Sequence, residues 1–176
     1  MLTEASTELI LNKTYEILQK LIGLHGQLNE VCRMEREAFV SADLKLIQEY
    51  TQSKELIIET IKQQEMNRIR FSAQLAVQWK LSLESMTLTR ISQEIESTNP
   101  KMAELFRSAL TTLKILIDRT KALNDSNRIF LEKSLEHVRV MKNNVLGEAV
   151  PQAETYSSYG QKVSNVTGAR LISKEA

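Results

Sequence analysis

The chain has 176 residues, of which 42% are hydrophobic, 5% aromatic and 26% charged. Its formal net charge is only +1, so electrostatics gives no reason to expect a nucleic acid or an anionic membrane surface as its partner. The single cysteine, Cys32, excludes an intrachain disulfide and fits a reducing compartment. No apolar run approaches the length of a membrane span, and residues 1–4 lack the basic start of a signal peptide. We therefore expect a cytoplasmic protein.

The first predicted helix covers residues 3 to about 40. Its apolar residues recur at heptad spacing, which indicates a helix packed lengthwise against others. Gly23 and Gly26 interrupt this helix, and we interpret them as a close approach of another helix or a slight bend. The stripe consists of Ile10, Ile17, Leu21, Leu24, Leu28, Val31 and Ala38, widened by Leu11, Leu18 and Phe39.

A short connector over residues 40–43 leads to the second predicted helix, for which Asp43 is the expected N-cap. This helix runs to about residue 77 and carries Lys54 within its apolar stripe. The apolar positions of the stripe are Leu44, Ile47, Tyr50, Ile57, Ile61 and Met66.

Residues 80–88 alternate between polar and apolar, a pattern that taken alone fits a short strand. Because the chain offers no partner strand, we expect a loop, with Thr87 capping a short third helix over about 88–96. The apolar residues of this region are predicted to form the core under a helix connection, although a mobile flap over a binding groove is an alternative. They are Trp79, Leu81, Leu83, Met86 and Leu88.

The last predicted helix runs from Pro100 to Gly147, with Asn99 as its cap and proline at the first helical position. At 1.5 Å per residue it would be a rod of roughly 70 Å, much longer than a helix of a compact domain. Its seam is predicted at two sets of heptad positions. They are Leu110, Ile117, Asn124, Leu131, Val138 and Val145, with the companions Leu113, Thr120, Asn127, Ser134 and Met141.

Asn124 and Asn127 occupy seam positions where leucine or isoleucine would be expected. A buried asparagine must find hydrogen-bond partners, and such residues usually fix register or pairing. Two interpretations are a register-setting polar layer and a seam that faces water at this point. A third is a polar notch in an apolar groove that admits another chain.

Residues 151–176 show no helical or strand period and are expected to form a flexible tail behind a helical domain of residues 1–150. The tail nevertheless contains spaced apolar residues, which suits a short recognition segment. They are Tyr156, Tyr159, Val163, Leu171 and Ile172.

The chain offers little catalytic material. His25 and His137 are the only histidines, and neither has a glutamate three residues before it, as a di-iron bundle requires. There is no glycine-rich phosphate loop and no serine, histidine and aspartate arrangement. We expect no metal, no cofactor and no enzymatic activity, and we interpret the chain as a protein that binds proteins.

Three segments resemble the FlgN family of flagellar export chaperones. Residues 35–43 with Lys54 look like that family's helix, short turn and helix with a lysine midway along the second helix. The run from Leu123 to Leu131 is similar to the family's L-N-x-x-N motif in the last helix. Tyr156, followed after three residues by Gly160 and Gln161, resembles the family's tail signature, although Ser157 replaces a glycine and Tyr159 is an additional tyrosine.

The resemblance implies a cytosolic chaperone of type III flagellar export. It would bind the C-terminal helical segments of the hook–filament junction (hook-associated) proteins, prevent their premature assembly and deliver them to the cytoplasmic domain of the export gate. Docking at the gate would fall to the tail, at Tyr156, Tyr159, Gly160 and Gln161. The substrate-binding region would comprise Leu123, Asn124, Asn127, Phe130, Leu131, Leu135 and Val138.

The predicted fold is therefore all-α, an elongated antiparallel bundle of coiled-coil-like hairpins with one short helix and the tail. The alternative function is a structural coiled-coil scaffold or assembly regulator that acts by oligomerising. Whether the free chain is a monomer or a homodimer stays open, as does whether the tail covers the substrate groove, which Leu171 and Ile172 would fit.

Overall fold

A computed structural model describes residues 4–146, which are helical almost throughout and contain no strand. Helix α1 spans Glu4–Ser41 and helix α2 spans Leu44–Trp79. A single 3-10 turn, Leu83–Ser85, precedes the short helix α3, Leu88–Glu94. Helix α4 spans Pro100–Leu146. The all-α prediction is confirmed, and the ends of the helices lie within about two residues of those expected.

The sequence specifies where the helices begin. The side chain of Asp43 accepts hydrogen bonds from the backbone N–H groups at positions 45 and 46, which caps α2. Thr87 caps α3 through the N–H of Arg90, at 3.1 Å. Asn99 caps α4 through the N–H of Met102, at 3.0 Å. All three predicted caps are confirmed.

The two sharp turns at the ends of α2 each need a residue in the left-handed region of backbone space. Ala42 has φ 53° between α1 and α2, and Lys80 has φ 56° after α2. Behind Lys80, the N–H of Leu81 reaches back to the carbonyl oxygen of Ala76 at 2.9 Å, which closes the helix end. No glycine occupies either position, so these turns carry no direct signal in the sequence.

The apolar core lies where the first half of α1, the end of α2, α3 and the start of α4 meet. Leu18, Leu21, Leu75 and Ile91 are completely buried, and Phe106 is nearly so. The expected packing under the connection after α2 is mostly found, because Trp79, Leu81, Met86 and Leu88 belong to this core or pack against it. The expectation is wrong for Leu83, which lies in the exposed 3-10 turn and is 52% exposed.

The prediction for α4 is right for one of its two sets of seam positions as far as Asn127 and wrong for the other. From residue 113 onward, the buried positions of α4 are Leu113, Thr120 and Asn127, which belong to the companion set. Ile117, from the main predicted set, is 43% exposed. The side chains that flank the buried positions are instead Leu116 and Leu123, one residue earlier than predicted. The main set is therefore displaced by one residue, about 100° around the helix, whereas the companion set stays in place.

Gly23 and Gly26 do not mark a close helix approach. A Cβ atom added at either position would meet no atom within 4 Å. The interpretation that another helix needs the space is therefore wrong.

The chain divides into two compact units at Arg128 and Ile129, inside α4. The first unit holds the core, the hairpin of α1 and α2, and α4 as far as Arg128. The described part of the second unit is the last stretch of α4, residues 129–146.

Candidate functional site

Five polar side chains from three helices meet in the first unit, and we call them the polar cluster: Cys32 and Glu35 of α1, Lys54 of α2, and Asn124 and Asn127 of α4. The Lys54 ammonium lies 2.8 and 3.1 Å from the two carboxylate oxygens of Glu35. The Glu35 side chain is only 6% exposed and that of Lys54 is 19% exposed. The ion pair is thus largely withdrawn from water, where an opposite charge and good geometry are needed to offset desolvation.

The two asparagines connect α4 to this ion pair. The Asn127 side-chain amide donates to the Glu35 carboxylate at 3.1 Å and to the backbone carbonyl of Cys32 at 2.9 Å. Lys54 also donates to the side-chain oxygen of Asn124, at 3.1 Å. Asn127 is buried, whereas Asn124 is exposed apart from these contacts. The geometry of Asn127 favours the register-setting interpretation, because one helical turn of sliding would break both of its bonds.

Cys32 lies behind Asn124. Its thiol is buried and lies 3.4 Å from the Asn124 side-chain oxygen. Burial raises the pKa of this thiol, so it stays protonated and acts as a weak hydrogen-bond donor rather than as a nucleophile.

A second polar contact lies two turns earlier along α4. The Asn29 amide donates to the Thr120 hydroxyl at 2.6 Å and to the carbonyl oxygen of Leu116 at 3.0 Å. The Thr120 hydroxyl in turn donates to the Leu116 carbonyl at 2.8 Å. Asn29 was missed in the sequence, although the polar pair Thr120 and Asn127, seven residues apart in a seam, signals that a polar partner must face it.

The end of α4 presents an exposed apolar surface. Leu131, Leu135, Val138, Met141 and Val145 follow one another at intervals of four, three, three and four residues, which places them on one side of the helix. We call them the distal face. Among them Leu135 is 59% exposed, Val138 62% and Val145 82%. Such a contiguous apolar surface usually marks an interaction site.

Exposed apolar side chains also occur elsewhere on this part of α4. At 100° per residue, Ile129 and Val140, which are 46% and 37% exposed, fall on the side opposite the distal face. Towards the end of α4, Val138, Met141, Val145 and Leu146 line an open apolar concavity together with Lys142.

The predicted substrate-binding residues are thus placed in two groups. Asn124 and Asn127 belong to the polar cluster, and Leu123 is half-buried beside it. Phe130 is also half-buried, and its carbonyl accepts a hydrogen bond from Ser134. Leu131, Leu135 and Val138 lie on the distal face. The predicted gate-docking residues Tyr156, Tyr159, Gly160 and Gln161 lie outside the described residues.

Neither metal-binding nor membrane-spanning features are found between residues 4 and 146. No group of three or more potential metal-ligating side chains comes together in this part of the chain. None of its helices is sufficiently long and apolar to cross a membrane.

A comparison with protein-family models matches residues 10–164 to the FlgN protein family. The match includes α1 from Ile10 onward, the polar cluster, the distal face and the Tyr156 segment of the tail. No curated protein and no solved structure matches the chain. Because the family model covers most of the sequence, the chain belongs to the FlgN family, a family of flagellar export chaperones rather than of enzymes.

Proposed function

We propose that this protein is a cytoplasmic chaperone that binds the C-terminal helical segments of hook-associated proteins along the distal face of α4. The observation that carries the proposal is the exposure of that face. Five apolar side chains on one side of a helix are unfavourable in water, and an amphipathic partner helix would remove them from it.

The partner's chemistry fits this surface. A junction-protein terminus that assembles through its own apolar stripe has the periodicity needed to match the distal face, which repeats at three and four residues. Covering that stripe would prevent premature assembly. Because such a segment orders only on binding, part of the interaction free energy is consumed by ordering, and the complex stays releasable at the gate.

The polar cluster has a supporting role in this proposal. Its bonds fix α4 on the hairpin of α1 and α2 as far as Arg128, and the same helix continues into the distal face. Asn127 already donates to Glu35 and Cys32, so we assign it to positioning rather than to direct contact with the substrate. Asn124, being exposed, remains a candidate for contact.

Delivery to the cytoplasmic domain of the export gate is proposed for the tail. The tail signature, Tyr156 with Gly160 and Gln161, falls within residues 10–164, the range that the family model matches. A Tyr156→Ala variant is expected to bind substrate normally and to lose gate binding, with Tyr159→Ala as the comparison. If only the second substitution abolished gate binding in a pull-down with the gate domain, the docking residue would be Tyr159.

The substrate proposal is tested by calorimetric titration with C-terminal segments of hook-associated proteins from the same genome. Leu135→Asp should weaken binding about tenfold or more, since burying one leucine contributes roughly 1.5–3 kcal/mol. Val140→Asp is the matched control, because it places the same charge on the opposite side of the helix and should bind as the unaltered chain does.

Equal affinity of the unaltered chain and Leu135→Asp would remove the distal face from the proposal. An absence of binding, together with a stable oligomer in sedimentation that Leu135→Asp dissociates, would favour the scaffold function. In that case the distal face would bury itself against a second copy.

A further inference from the structure

The chain itself contains a candidate segment to cover the distal face. Residues 147–176 follow directly after Leu146, the last residue of α4. A segment tethered next to an apolar surface is present there at a high effective concentration, of the order of millimolar for short connections. It therefore reaches the surface more readily than a second molecule does.

The tail is long enough to cover the whole face. From Leu131 to Leu146 the helix measures roughly 22 Å at 1.5 Å per residue. About fifteen returning residues span that distance as a helix and about seven as an extended chain. Gly147 and Pro151, at the start of the segment, are residues that favour a reversal of the chain.

The apolar spacing of one part of the tail matches the distal face. Tyr156, Tyr159, Val163 and Val166 stand at intervals of three, four and three residues. A helix would place all four on one side, although the tail as a whole shows no period. Gly160 inside this stretch costs about 1 kcal/mol relative to alanine, so a helix here would need a surface to pack against.

The charges at the end of the face complement those at the start of the tail. Lys142 lines the apolar concavity together with side chains of the distal face, and at 100° per residue Arg139 lies beside them. When the tail folds back, its acidic residues Glu148 and Glu154 come first and would meet this basic end.

We propose that, in the substrate-free protein, residues 147–176 fold back antiparallel to α4 and cover its distal face through Tyr156, Tyr159, Val163 and Val166. The covering segment and the substrate then compete for one surface, a consequence that rests on the proposed function. The tail shields the apolar side chains until a substrate displaces it.

The direct test is hydrogen–deuterium exchange of residues 131–146 in the full chain. Val163→Glu with Val166→Glu should increase exchange there, because two charges would face the apolar surface. Ser164→Glu with Thr167→Glu is the matched control, since it adds the same charges one position along, and it should leave exchange unchanged. Equal exchange in all three proteins would overturn the proposal.

The same experiment separates the tail from a second copy of the chain. Covering by the chain's own tail predicts protection that does not change on dilution. Protection that disappears on dilution, with a corresponding change of mass in sedimentation, would show that another molecule covers the face and would contradict the proposal.

A calorimetric comparison tests the competition. If the covered state accounts for about nine-tenths of the molecules, Val163→Glu with Val166→Glu should tighten substrate binding about tenfold, and the control should not. Loss of protection without any substrate binding would support the tail contact and refute the proposed function. Substrate binding of equal affinity in all three proteins, with no change in exchange, would support the proposed function and refute the tail contact.

Discussion

Within the polar cluster, Lys54 and Asn127 matter for stability because the Glu35 carboxylate between them is buried. The Glu35 carboxylate is withdrawn from water and is satisfied by Lys54 on one side and by Asn127 on the other. An ionised carboxylate in such surroundings is tolerated only while it is paired and hydrogen-bonded. The stability of the contact between α4 and the hairpin therefore depends on two donors.

Lys54→Met should lower the free energy of unfolding by about 2–4 kcal/mol, because it leaves Glu35 buried without its cation. Lys45→Met is the control. It removes the lysine of an exposed pair with Glu49, and the change should stay within about 0.5 kcal/mol. Urea unfolding measures both.

Combining Lys54→Met with Glu35→Leu should recover part of the loss, since an apolar pair replaces the ion pair. If Lys54→Met proved as harmless as Lys45→Met, the ion pair would contribute nothing and the register would rest on Asn29 and Asn127.

At the scale of the helices, the caps could be predicted from the sequence, but the rotation of α4 relative to α1 could not. Asp43, Thr87 and Asn99 could be recognised as caps because a cap is satisfied within four residues of chain. The rotation of α4 depends instead on which residues of α1 form hydrogen bonds with Thr120 and Asn127, and those partners lie about ninety residues away. Hydrophobic spacing alone cannot show that Ile117 is exposed while Asn127 is buried.

The same limit applies to the candidate site. Asn124 and Asn127 were identified as exceptional because they interrupt an apolar pattern, whereas Asn29 lies in α1 where nothing in the pattern distinguishes it. Lys54 stood out by its place in the apolar stripe and by resemblance to the family, whereas Glu35 was only the first residue of a matching segment. Only the fold shows that the two pair with each other and with the asparagines.

Gly23→Ala should stabilise the protein by about 0.5–1 kcal/mol. The added Cβ meets no atom within 4 Å, and alanine has less conformational freedom to lose on folding than glycine. The mirror control is Ala122→Gly at an exposed position of α4, which should destabilise by a similar amount. Thermal unfolding of the two variants would show shifts of opposite sign, and a fall in stability for Gly23→Ala would indicate that the glycine accommodates a bend.

At the scale of the whole molecule, the two units differ in what their side chains do. In the first unit, apolar side chains from four helices bury one another, and polar groups pair across helices. In the described part of the second, the apolar side chains of the distal face are exposed. We therefore assign the first unit to stability and propose association for the distal face.

Amide exchange should reflect this division. The amides of residues 109–127 should exchange more slowly than those of residues 138–146, because opening the former must break core and polar-cluster contacts. Hydrogen exchange read along α4 measures the gradient directly. Uniform protection from residue 109 to 146 would mean that the whole helix opens as one cooperative unit.

The isolated, buried thiol gives the protein an internal reporter. Cys32 is the only cysteine of the chain, and it lies under Asn124 with its pKa raised by burial. A thiol-directed reagent can therefore react at one position only, and only when the packing around Cys32 opens. The rate of alkylation therefore measures how often such openings occur in the protein without any substitution. Comparing that rate with and without substrate would show whether binding at the distal face changes the rate of opening at Cys32.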